Sequence, residues 1–491
     1  MPQRPIQFWF RGRLTEVRDV SPQRTVLQWL REDAHATGSK EGCGEGDCGA
    51  CTVVIGSRDD TARGGVRLDA VNSCIQLLPT LDGKALFTVE DLAQPEHLHP
   101  VQQAMVETHA SQCGFCTPGF VMSLWADYEM RDAAPSREEV KTCLSGNLCR
   151  CTGYRPIIDA AQRAWQQPAC KMDRTPLRAT LDTLAAMPAL DYTSHGQRFI
   201  APRSLAALAQ HCETMPQARL LAGSTDIGLW VTKQLRQLGD ILYLGAVDEL
   251  KTITHTEAYI EIGAGASLSA AFAVLVQEDP HWQELAERFA SLPVRNAGTL
   301  GGNVANGSPI GDSMPALIAL DSQIVLQKGA RVRSLALEDF YLAYQKTALE
   351  AGEFVRAVRV PRHREDAAFR TWKVSKRAEQ DISAVCAGFS LHIEDGMVRE
   401  VRLAFGGMAA TPKRAAQAEA ALRGQPFSEI TVRAAMAALA QDFQPLDDMR
   451  ASAAYRLQVA QNLVWRLWLE CSPDTGQPAP ARLQDLQAVQ S

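Results

Sequence analysis

The sequence predicts a multidomain α+β protein, and three observations lead to this prediction. The chain has 491 residues, more than one hydrophobic core usually organises, so two to four domains are expected. Hydrophobic residues make up 46% of the chain and charged residues 22%, as in an ordinary soluble globular protein. Strand-rich, helix-rich and mixed patterns follow one another along the sequence, and each change of pattern indicates a domain boundary.

The first two domains are predicted from a change in periodicity. Residues 1–84 predict a small α+β domain, because "IQFWF" and "CTVVI" are strand-like and "TVLQWLRED" between them has helical spacing. Residues 85–165 predict a compact helical domain, in which Pro118 suits a helix start and Gly146 a helix end. Residues 166–195 are mixed in pattern and are predicted to form a linker.

The remaining chain is predicted to form two more domains and a tail. Residues 196–370 have a mixed α/β pattern and contain a glycine-rich stretch at 298–311. Residues 371–475 predict strands such as "SAVCAGFSLHI" followed by helices. Residues 476–491 are rich in proline and glutamine and are predicted to be a frayed tail.

Charge and hydropathy exclude several function classes. The net charge is −6 and the pI about 6.0, so the basic footprint of a nucleic-acid-binding protein is missing. No apolar run reaches the roughly 18 residues needed to span a bilayer. The N-terminal "MPQRPIQFWFRGR" lacks the apolar core of a signal peptide. We therefore expect a cytoplasmic protein without membrane contact, whose cysteines stay reduced.

The cysteines form two groups, since nine of the thirteen fall between Cys43 and Cys151. The first group has the spacing C-x4-C-x2-C with a distant fourth cysteine, which is the spacing of plant-type 2Fe–2S ligation. Glycines between these cysteines let the backbone approach closely, so that N–H groups can point at cluster sulfurs. The candidate ligands are Cys43, Cys48, Cys51 and Cys74.

Other interpretations of the first group have less support. Structural zinc favours paired C-x2–4-C knuckles, and a disulfide is unusual in a reducing compartment. Residues 44–49 also match the dinucleotide-binding pattern G-x-G-x-x-G, but a strand follows the loop where that motif requires a helix.

The second group combines C-x2-C with C-x-C and consists of Cys113, Cys116, Cys149 and Cys151. Spacing alone also allows zinc here. A thioredoxin-like redox pair would need a βαβ surround, and the surround is helical. Cys143 lies nearby and is interpreted as a helix-face residue.

Both groups resemble motifs of a known family. "GCGEGDCGACTVV" is similar to the first 2Fe–2S motif of the molybdenum hydroxylases, the xanthine dehydrogenase family. "QCGFCTPGFVMS" with "GNLCRCTGYRPI" is similar to the second, and the motifs occur in the family's order. The resemblance implies that the eight cysteines hold two 2Fe–2S clusters. It also implies a β-grasp ferredoxin-like domain over 1–84 and a helical 2Fe–2S-binding bundle over 85–165.

Two glycine-rich stretches indicate a phosphate-binding region. "LLAGSTDIGLWV" (220–231) places small and hydroxyl residues at a strand-to-helix turn, where backbone N–H groups can face a phosphate. "RNAGTLGGNVANGSPIGDSMPAL" (295–317) adds glycines beside polar amides, which suits close approach to a pyrophosphate. Many such turns only connect elements, and the sequence contains no P-loop pattern.

Together these stretches resemble the FAD domain of the same family, which has the PCMH or vanillyl-alcohol-oxidase type of fold. "LAFGGMAATPKRA" (403–415) resembles the C-terminal domain of the CO dehydrogenase flavoprotein type. The resemblance implies FAD diphosphate contacts from 220–227 and 299–303, and it implies an isoalloxazine-stacking ring at Phe289, whose alternative is a core aromatic. The FAD contacts carried over are Leu220, Leu221, Ala222, Gly223, Ser224, Thr225, Asp226, Ile227, Phe289, Thr299, Leu300, Gly301, Gly302, Asn303, Asp312, Val355 and Lys373.

Two further segments resemble parts of the family's flavin domain. "FYLAYQKT" (340–347) is similar to the segment that lines the nicotinamide approach, with Gln345 where relatives more often have arginine. "KVSKRAEQDIS" (373–383) is similar to a mobile acidic loop near the flavin and contains Glu379 and Asp381. Its charges are equally typical of a solvated surface.

The resemblance implies an oxidoreductase that transfers electrons. Flavin exchanges electrons singly or in pairs, so it can connect one-electron clusters with NAD+. The family's fused enzymes continue for a molybdopterin region, whereas this sequence ends at residue 491. We therefore expect the small subunit of a two-chain bacterial member, paired with a molybdopterin-binding large subunit in an α2β2 heterotetramer.

That assembly would carry electrons from hypoxanthine or xanthine at molybdenum through both clusters and FAD to NAD+, in purine catabolism. The sequence indicates no catalytic acid or base on this chain. The alternatives are an electron-transfer module for another N-heterocycle or aldehyde hydroxylase, an oxidase that reduces O2, and a stand-alone electron-transfer or scaffold protein.

Overall fold

The computed structural model confirms the predicted multidomain α+β architecture. It describes residues 4–92, 97–377 and 382–472. The predicted tail and the two acidic residues Glu379 and Asp381 lie outside the described residues.

The first domain is a five-stranded mixed sheet in the order β2-β1-β5-β3-β4. Strands β1 and β5 are parallel and the other neighbours are antiparallel, which is the β-grasp arrangement. Helix α1 continues into a π-helical turn over Trp29–Asp33 and covers the sheet, because its apolar side chains pack on strand β1. The elements are β1 (Ile6–Phe10), β2 (Arg13–Val17), α1 (Val26–Gln28), β3 (Thr52–Arg58), β4 (Val66–Asn72) and β5 (Ala85–Phe87).

Over its described residues, the second domain contains four α-helices, and their boundaries follow from local signals. Pro118 occupies the first turn of α3, where a missing N–H costs nothing. Ser136 caps α4 in a capping box with Glu139. Gly146 follows α4 with φ +101°, a conformation that glycine adopts readily. The helices are α2 (Pro100–Glu107), α3 (Thr117–Met130), α4 (Arg137–Leu144) and α5 (Arg155–Ala164).

The segment predicted as a linker, 166–195, contains the helix α6 (Thr175–Ala185) and the strand β6 (Leu190–Ser194). The segment is tied down by Arg174, whose guanidinium donates to the carbonyls of Val66 (2.9 Å) and Glu129 (2.6 Å) and pairs with the Glu129 carboxylate at 3.3 Å. Both side chains of this pair are buried. Removing either partner would leave a buried charge without compensation, which is strongly destabilising.

The flavin-type region holds two larger sheets, in the orders β6-β7-β9-β8 and β10-β11-β16-β12-β13, and the two-stranded sheet β14-β15. Strands β7, β9 and β8 are parallel, and the second sheet is antiparallel. After β6, the strands of the flavin-type region are β7 (Gln197–Ala201), β8 (Arg219–Leu221), β9 (Ile241–Tyr243), β10 (Ile253–His255), β11 (Tyr259–Gly263), β12 (Gln323–Lys328), β13 (Arg331–Ala336), β14 (Tyr341–Ala343), β15 (Lys346–Thr347) and β16 (Phe354–Pro361). Its helices are α7 (Leu205–Thr214), α8 (Ile227–Thr232), α9 (Leu268–Glu278), α10 (Gln283–Arg288), α11 (Leu292–Ala297), α12 (Leu300–Asn306), α13 (Ser313–Ala319) and α14 (Leu337–Phe340).

The last region packs three helices on an antiparallel sheet in the order β17-β18-β19-β20. Its elements are β17 (Ala367–Val374), β18 (Val385–Glu394), β19 (Met397–Gly406), β20 (Lys413–Arg414), α15 (Ala416–Leu422), α16 (Glu429–Asp442) and α17 (Ala453–Cys471). The adjoining parts of β18 and β19 are buried continuously, because one face packs under the three helices and the other, through Cys386 and Ala404, packs on the core of the flavin-type region.

The two cysteine-rich domains meet through closely approaching backbone. Gly49 lies in the first cysteine loop with φ +69°, and a Cβ there would come within 2.1 Å of the Gly146 carbonyl. A Cβ on Gly119 of α3 would likewise come within 2.1 Å of the Gly49 carbonyl. Only residues without a side chain allow the two domains to approach this closely.

We predict that Gly49→Ala loosens this contact. The added methyl group meets rigid backbone and the φ angle disfavours alanine, so the expected loss of stability is about 3 kcal/mol or more. The matched control is Gly114→Ala, which has φ +82° and no atom within 4 Å, and which should cost about 1–2 kcal/mol. Urea unfolding of the full chain measures both, and equal losses would contradict the close-packed contact.

Candidate functional site

The first cysteine group converges although its members come from two segments. Cys43, Cys48 and Cys51 lie in the loop before β3, and Cys74 follows β4. The Cys51 and Cys74 side chains are buried, and their Sγ atoms are 3.3 Å apart. Backbone N–H groups of Asp47 and Cys48 donate to the Cys43 Sγ at 3.4 and 3.3 Å. The loop therefore presents N–H donors to sulfur, as the glycine-rich sequence predicts.

Hydrogen bonds between the sulfurs shift the acidities within this group. The bond between Cys43 and Cys48 lowers the pKa of Cys43 and raises the pKa of Cys48. The bond between Cys51 and Cys74 lowers the pKa of Cys51. The pKa of Cys74 is raised by its bonds with Cys43 and Cys51. Each pair thus contains one sulfur that favours the thiolate form, which is the form that binds metal.

The second cysteine group lies at the loop ends of the helical domain. Cys113 and Cys116 precede α3, and Cys149 and Cys151 lie between α4 and α5. The Sγ atoms of Cys113 and Cys151 are 3.6 Å apart, and Cys116 is hydrogen-bonded to Cys149. Burial raises the pKa of Cys116 to about 12. A backbone hydrogen bond from Phe115 contributes most to the lowered pKa of Cys113.

Both groups are arranged as two pairs of sulfurs. Within residues 4–92, 97–377 and 382–472, no three or more His, Cys, Asp or Glu side chains are grouped as ligands of a single ion. A 2Fe–2S cluster takes two thiolates on each of its two irons. The paired sulfurs and the N–H donors aimed at Cys43 therefore fit this cluster type, while the role of each cysteine as a ligand stays a prediction.

A direct hydrogen bond joins the two cysteine groups. The Leu148 N–H donates to the Cys48 carbonyl at 3.0 Å, and Leu148 precedes the second-group residue Cys149. The neighbouring Asn147 amide donates to the Gly49 carbonyl at 3.3 Å and accepts from the Ser123 hydroxyl at 2.7 Å. This buried amide fixes the loop of one group against the loop of the other.

The predicted diphosphate-binding turn follows β8. The backbone N–H groups of Gly223, Ser224, Thr225 and Asp226 make no hydrogen bond with the described residues. A Cβ on Gly223 would come within 2.0 Å of the Ala297 carbonyl, so this turn packs against the second glycine-rich stretch. Successive free N–H groups at a turn fit an anion such as a diphosphate.

The second glycine-rich stretch differs from the first in its hydrogen bonding. The N–H groups of Leu300 and Gly301 donate to the carbonyls of Ala266 and Ala264. The N–H groups of Gly302 and Asn303 donate to the hydroxyl and carbonyl oxygens of Thr299. The backbone donors of 300–303 are therefore used inside the protein. Diphosphate contact through the backbone of this stretch stays a prediction that the observed hydrogen bonding does not favour.

The Ser224 side chain contacts the first domain, and the role of Ser224 as a flavin contact stays a prediction. Its hydroxyl donates to the Ile75 carbonyl at 2.6 Å, and its φ of +65° lies in the left-handed region. Ile75 follows Cys74, so the flavin-type turn touches the first cysteine group directly. Gly228 of α8 packs on the same residue, since a Cβ there would lie 2.4 Å from the Ile75 carbonyl.

A buried ion pair joins the flavin-type region to the last domain. Lys373 of β17 places its Nζ 2.8 Å from Asp312 Oδ2, with both side chains buried. Ser383 donates to Asp312 Oδ1 at 2.5 Å, and Arg288 donates to the Lys373 carbonyl at 2.6 Å. Two residues predicted to contact FAD thus neutralise each other across a domain boundary.

The other predicted FAD contacts divide into two sets. Ala222, Thr225 and Asp226 lie at the junction of the two glycine-rich stretches, where Asp226 is hydrogen-bonded to Asn306 and Trp230. The second set packs in hydrophobic clusters, which favours a structural role; it consists of Leu220, Leu221, Ile227, Phe289, Leu300 and Val355. The ring centroid of Phe289 lies 5.1 Å from that of Phe272, as expected for a core aromatic.

Sequence reasoning missed three polar residues at these junctions: Asn147, Lys233 and Asn72. Asn147 lies two positions before Cys149, so its closeness to the motif is a signal that was available. Lys233 donates to the Cys43 carbonyl from a distant part of the chain. Asn72 points its amide at the Cys51 sulfur at 3.9 Å.

Models of four protein families match successive parts of the chain. They are a 2Fe-2S iron-sulfur cluster binding domain over residues 11–77, a [2Fe-2S] binding domain over 88–162, an FAD binding domain in molybdopterin dehydrogenase over 193–363, and a CO dehydrogenase flavoprotein C-terminal domain over 370–471. These domains define an oxidoreductase with two 2Fe–2S-binding domains and an FAD-binding domain.

Curated relatives extend the comparison. The chain is 30% identical to xanthine dehydrogenase of Emericella nidulans over 94% of this chain and 38% of the relative. It is 29% identical to xanthine dehydrogenase/oxidase of Rattus norvegicus over 90% of this chain and 37% of the relative. The chain therefore spans less than half the length of these relatives. It belongs to the molybdenum hydroxylase family.

Solved structures resemble just over half of the chain. Carbon monoxide dehydrogenase from Hydrogenophaga pseudoflava matches with a TM-score of 0.52 and 28% identity, covering 55% of this chain and 94% of that one. Quinoline 2-oxidoreductase from Pseudomonas putida 86 matches with a TM-score of 0.50 and 25% identity, over the same shares. Within the described residues, no helix combines the length and apolar character needed to cross a bilayer.

We predict that the eight cysteines act as two independent sets. Cys51→Ser should remove the cluster of the first set and leave the second, so iron per chain should fall by about half. The matched control is Cys143→Ser, since Cys143 is buried and its Sγ donates to the Ser123 carbonyl at 3.4 Å. Iron and acid-labile sulfide analysis measures both variants. Full iron in Cys51→Ser, or a loss in Cys143→Ser, would contradict the assignment.

Proposed function

We propose that this chain is the electron-transfer small subunit of an NAD+-dependent xanthine dehydrogenase that converts hypoxanthine to xanthine and urate. One observation carries the proposal: the second cysteine group, the first cysteine group and the flavin-type turn lie in series. The Leu148–Cys48 hydrogen bond joins the first two sites, and the Ser224–Ile75 hydrogen bond joins the last two.

The residues of the chain fit two clusters and FAD. When bound, the clusters would supply one-electron chemistry and FAD the exchange between single electrons and a hydride. The cysteine pairs would hold the irons, and the free N–H groups of 223–226 would hold the FAD diphosphate. The Asp312–Lys373 pair would fix β17 beside the flavin-type region, since a buried, hydrogen-bonded ion pair resists displacement.

The exposed end of the series supports a partner chain. Cys113 and Cys151 are solvent-exposed, and three exposed apolar residues lie within three positions of one of them in the sequence, namely Phe115, Leu148 and Tyr154. Apolar patches around a functional group mark interaction sites. We infer that a molybdopterin-binding large subunit covers this surface and that two copies of each chain form an α2β2 heterotetramer.

The acceptor end supports NAD+ less directly. Strands β14 and β15 form a hairpin, with Gln345 at its tip in a left-handed conformation (φ +55°). Leu342 and Tyr344 on this hairpin are exposed. The hairpin resembles the segment that lines the nicotinamide approach in the family, and Gln345 would contact NAD+ there without a positive charge.

Further observations support the proposed compartment and the proposed substrate. None of the thirteen cysteines, all of which lie within the described residues, forms a disulfide, which suits the reducing cytoplasm. The names of the curated relatives support xanthine as substrate. The likeness to quinoline 2-oxidoreductase favours another N-heterocycle as the alternative. An aldehyde substrate and O2 as the acceptor are the remaining possibilities to test.

We predict that the chain copurifies with a molybdenum-containing chain and that NADH, added without oxygen, bleaches the flavin of this complex. Hydride transfer from NADH is the reverse of the proposed last step, so it requires only the acceptor end of the series. Absorbance at the flavin band measures it, and xanthine with NAD+ tests the forward reaction.

Each outcome separates one alternative. Bleaching by xanthine but not by NADH, with fast reoxidation in air, would indicate an oxidase. Bleaching by NADH with no turnover of xanthine or hypoxanthine would indicate another substrate. A purified chain that binds iron and FAD but never a molybdenum subunit would overturn the proposed assembly.

A further inference from the structure

One lysine of the flavin-type region lies on the loop of the first cysteine group. Lys233 follows α8 directly, and its Nζ donates to the Cys43 carbonyl at 2.5 Å. The same Nζ lies 3.5 Å from a carboxylate oxygen of Glu45. It also lies 3.9 Å from the Cβ position of Gly44, so the ammonium rests against the loop backbone beside Cys43.

This placement brings a positive charge to an acidic loop. The loop contains Glu41, Glu45 and Asp47 around its first two cysteines. Adding an electron to a cluster held by this loop adds one negative charge near these carboxylates, which opposes reduction. A cation on the Cys43 carbonyl offsets that repulsion, and net charge and hydrogen bonding near the ligands are known determinants of cluster potential.

The position of Lys233 does not depend on its own hydrogen bond. Helix α8 is fixed by the buried Ser224–Ile75 hydrogen bond and by the close packing of Gly228 on Ile75. Leu229 of the same helix packs against the cluster formed by Leu27, Cys51, Cys74 and Ile75. Substitution of Lys233 should therefore remove a charge without separating the domains.

We propose that Lys233 is a positioning residue that raises the reduction potential of the first cluster. This inference rests on the proposed function, because it requires a cluster at Cys43, Cys48, Cys51 and Cys74. Lys233 belongs to the flavin-type region, which receives the electron after the first cluster. The flavin-type region would therefore also help the first cluster to accept that electron. The Lys233 side chain is 43% exposed, so solvent reduces the effect.

The test is a redox titration of the full chain with both clusters, followed by electron paramagnetic resonance. At a fixed potential near the midpoint, Lys233→Gln should lower the ratio of reduced to oxidised first cluster about threefold, which is about 28 mV for one electron. Lys233→Glu should lower it further, and Lys233→Arg should match the unmodified chain. The second cluster should not change and serves as an internal control.

The matched control variant is Lys251→Gln. Lys251 belongs to the same region, is 45% exposed and pairs with Asp248 at 2.7 Å, away from the cysteine loop. It should leave both potentials unchanged. Equal first-cluster potentials in the Gln, Glu and Arg variants would overturn the inference while leaving the proposed function intact. A chain that assembles no first cluster in any form would overturn both.

Discussion

The hydrogen bond from the Leu148 N–H to the Cys48 carbonyl is the contact on which the rest of the structure depends. Leu148 precedes the candidate ligand Cys149 in the helical domain, and Cys48 is itself a candidate ligand in the first domain. This contact requires that Gly49 and Gly119 have no side chains, and the buried Asn147 amide supports it by donating to the Gly49 carbonyl. The two small domains thus share a junction that includes the Leu148–Cys48 and Asn147–Gly49 hydrogen bonds.

A second junction, between the flavin-type region and the first domain, also depends on a hydrogen bond to a backbone carbonyl. The turn after β8 bends through a left-handed serine, and this serine hydroxyl satisfies the carbonyl of the residue after Cys74. Its hydroxyl is therefore committed to the neighbouring domain, while the backbone N–H groups of the turn remain free for an anion. This short turn therefore contacts the first cysteine group and also presents N–H groups to the predicted diphosphate site. The flavin-type region and the first domain are held together by buried polar contacts that are costly to leave unpaired.

Much of this arrangement could be predicted from local sequence, and the rest could not. Cysteine spacing and the glycines around Cys43 are local features, so the two ligand sets and the strand and helix regions around them could be anticipated. The segment 166–195 was predicted as a linker, yet it contains α6 and β6, because its order comes from the distant Glu129 and from pairing with β7. The backbone hydrogen bonds of 300–303 and the Lys233–Cys43 contact also depend on residues far away in the chain. No pattern within a single segment contains that information.

Clusters held by the two cysteine groups would lie close enough to interact, because the Leu148–Cys48 hydrogen bond joins the two loops. The most direct measurement is electron paramagnetic resonance of the anaerobic chain with both clusters reduced, compared with samples in which one cluster is reduced. We predict that each signal is broadened or split by the other. Two fully independent signals, whose sum reproduces the spectrum of the doubly reduced chain, would contradict it.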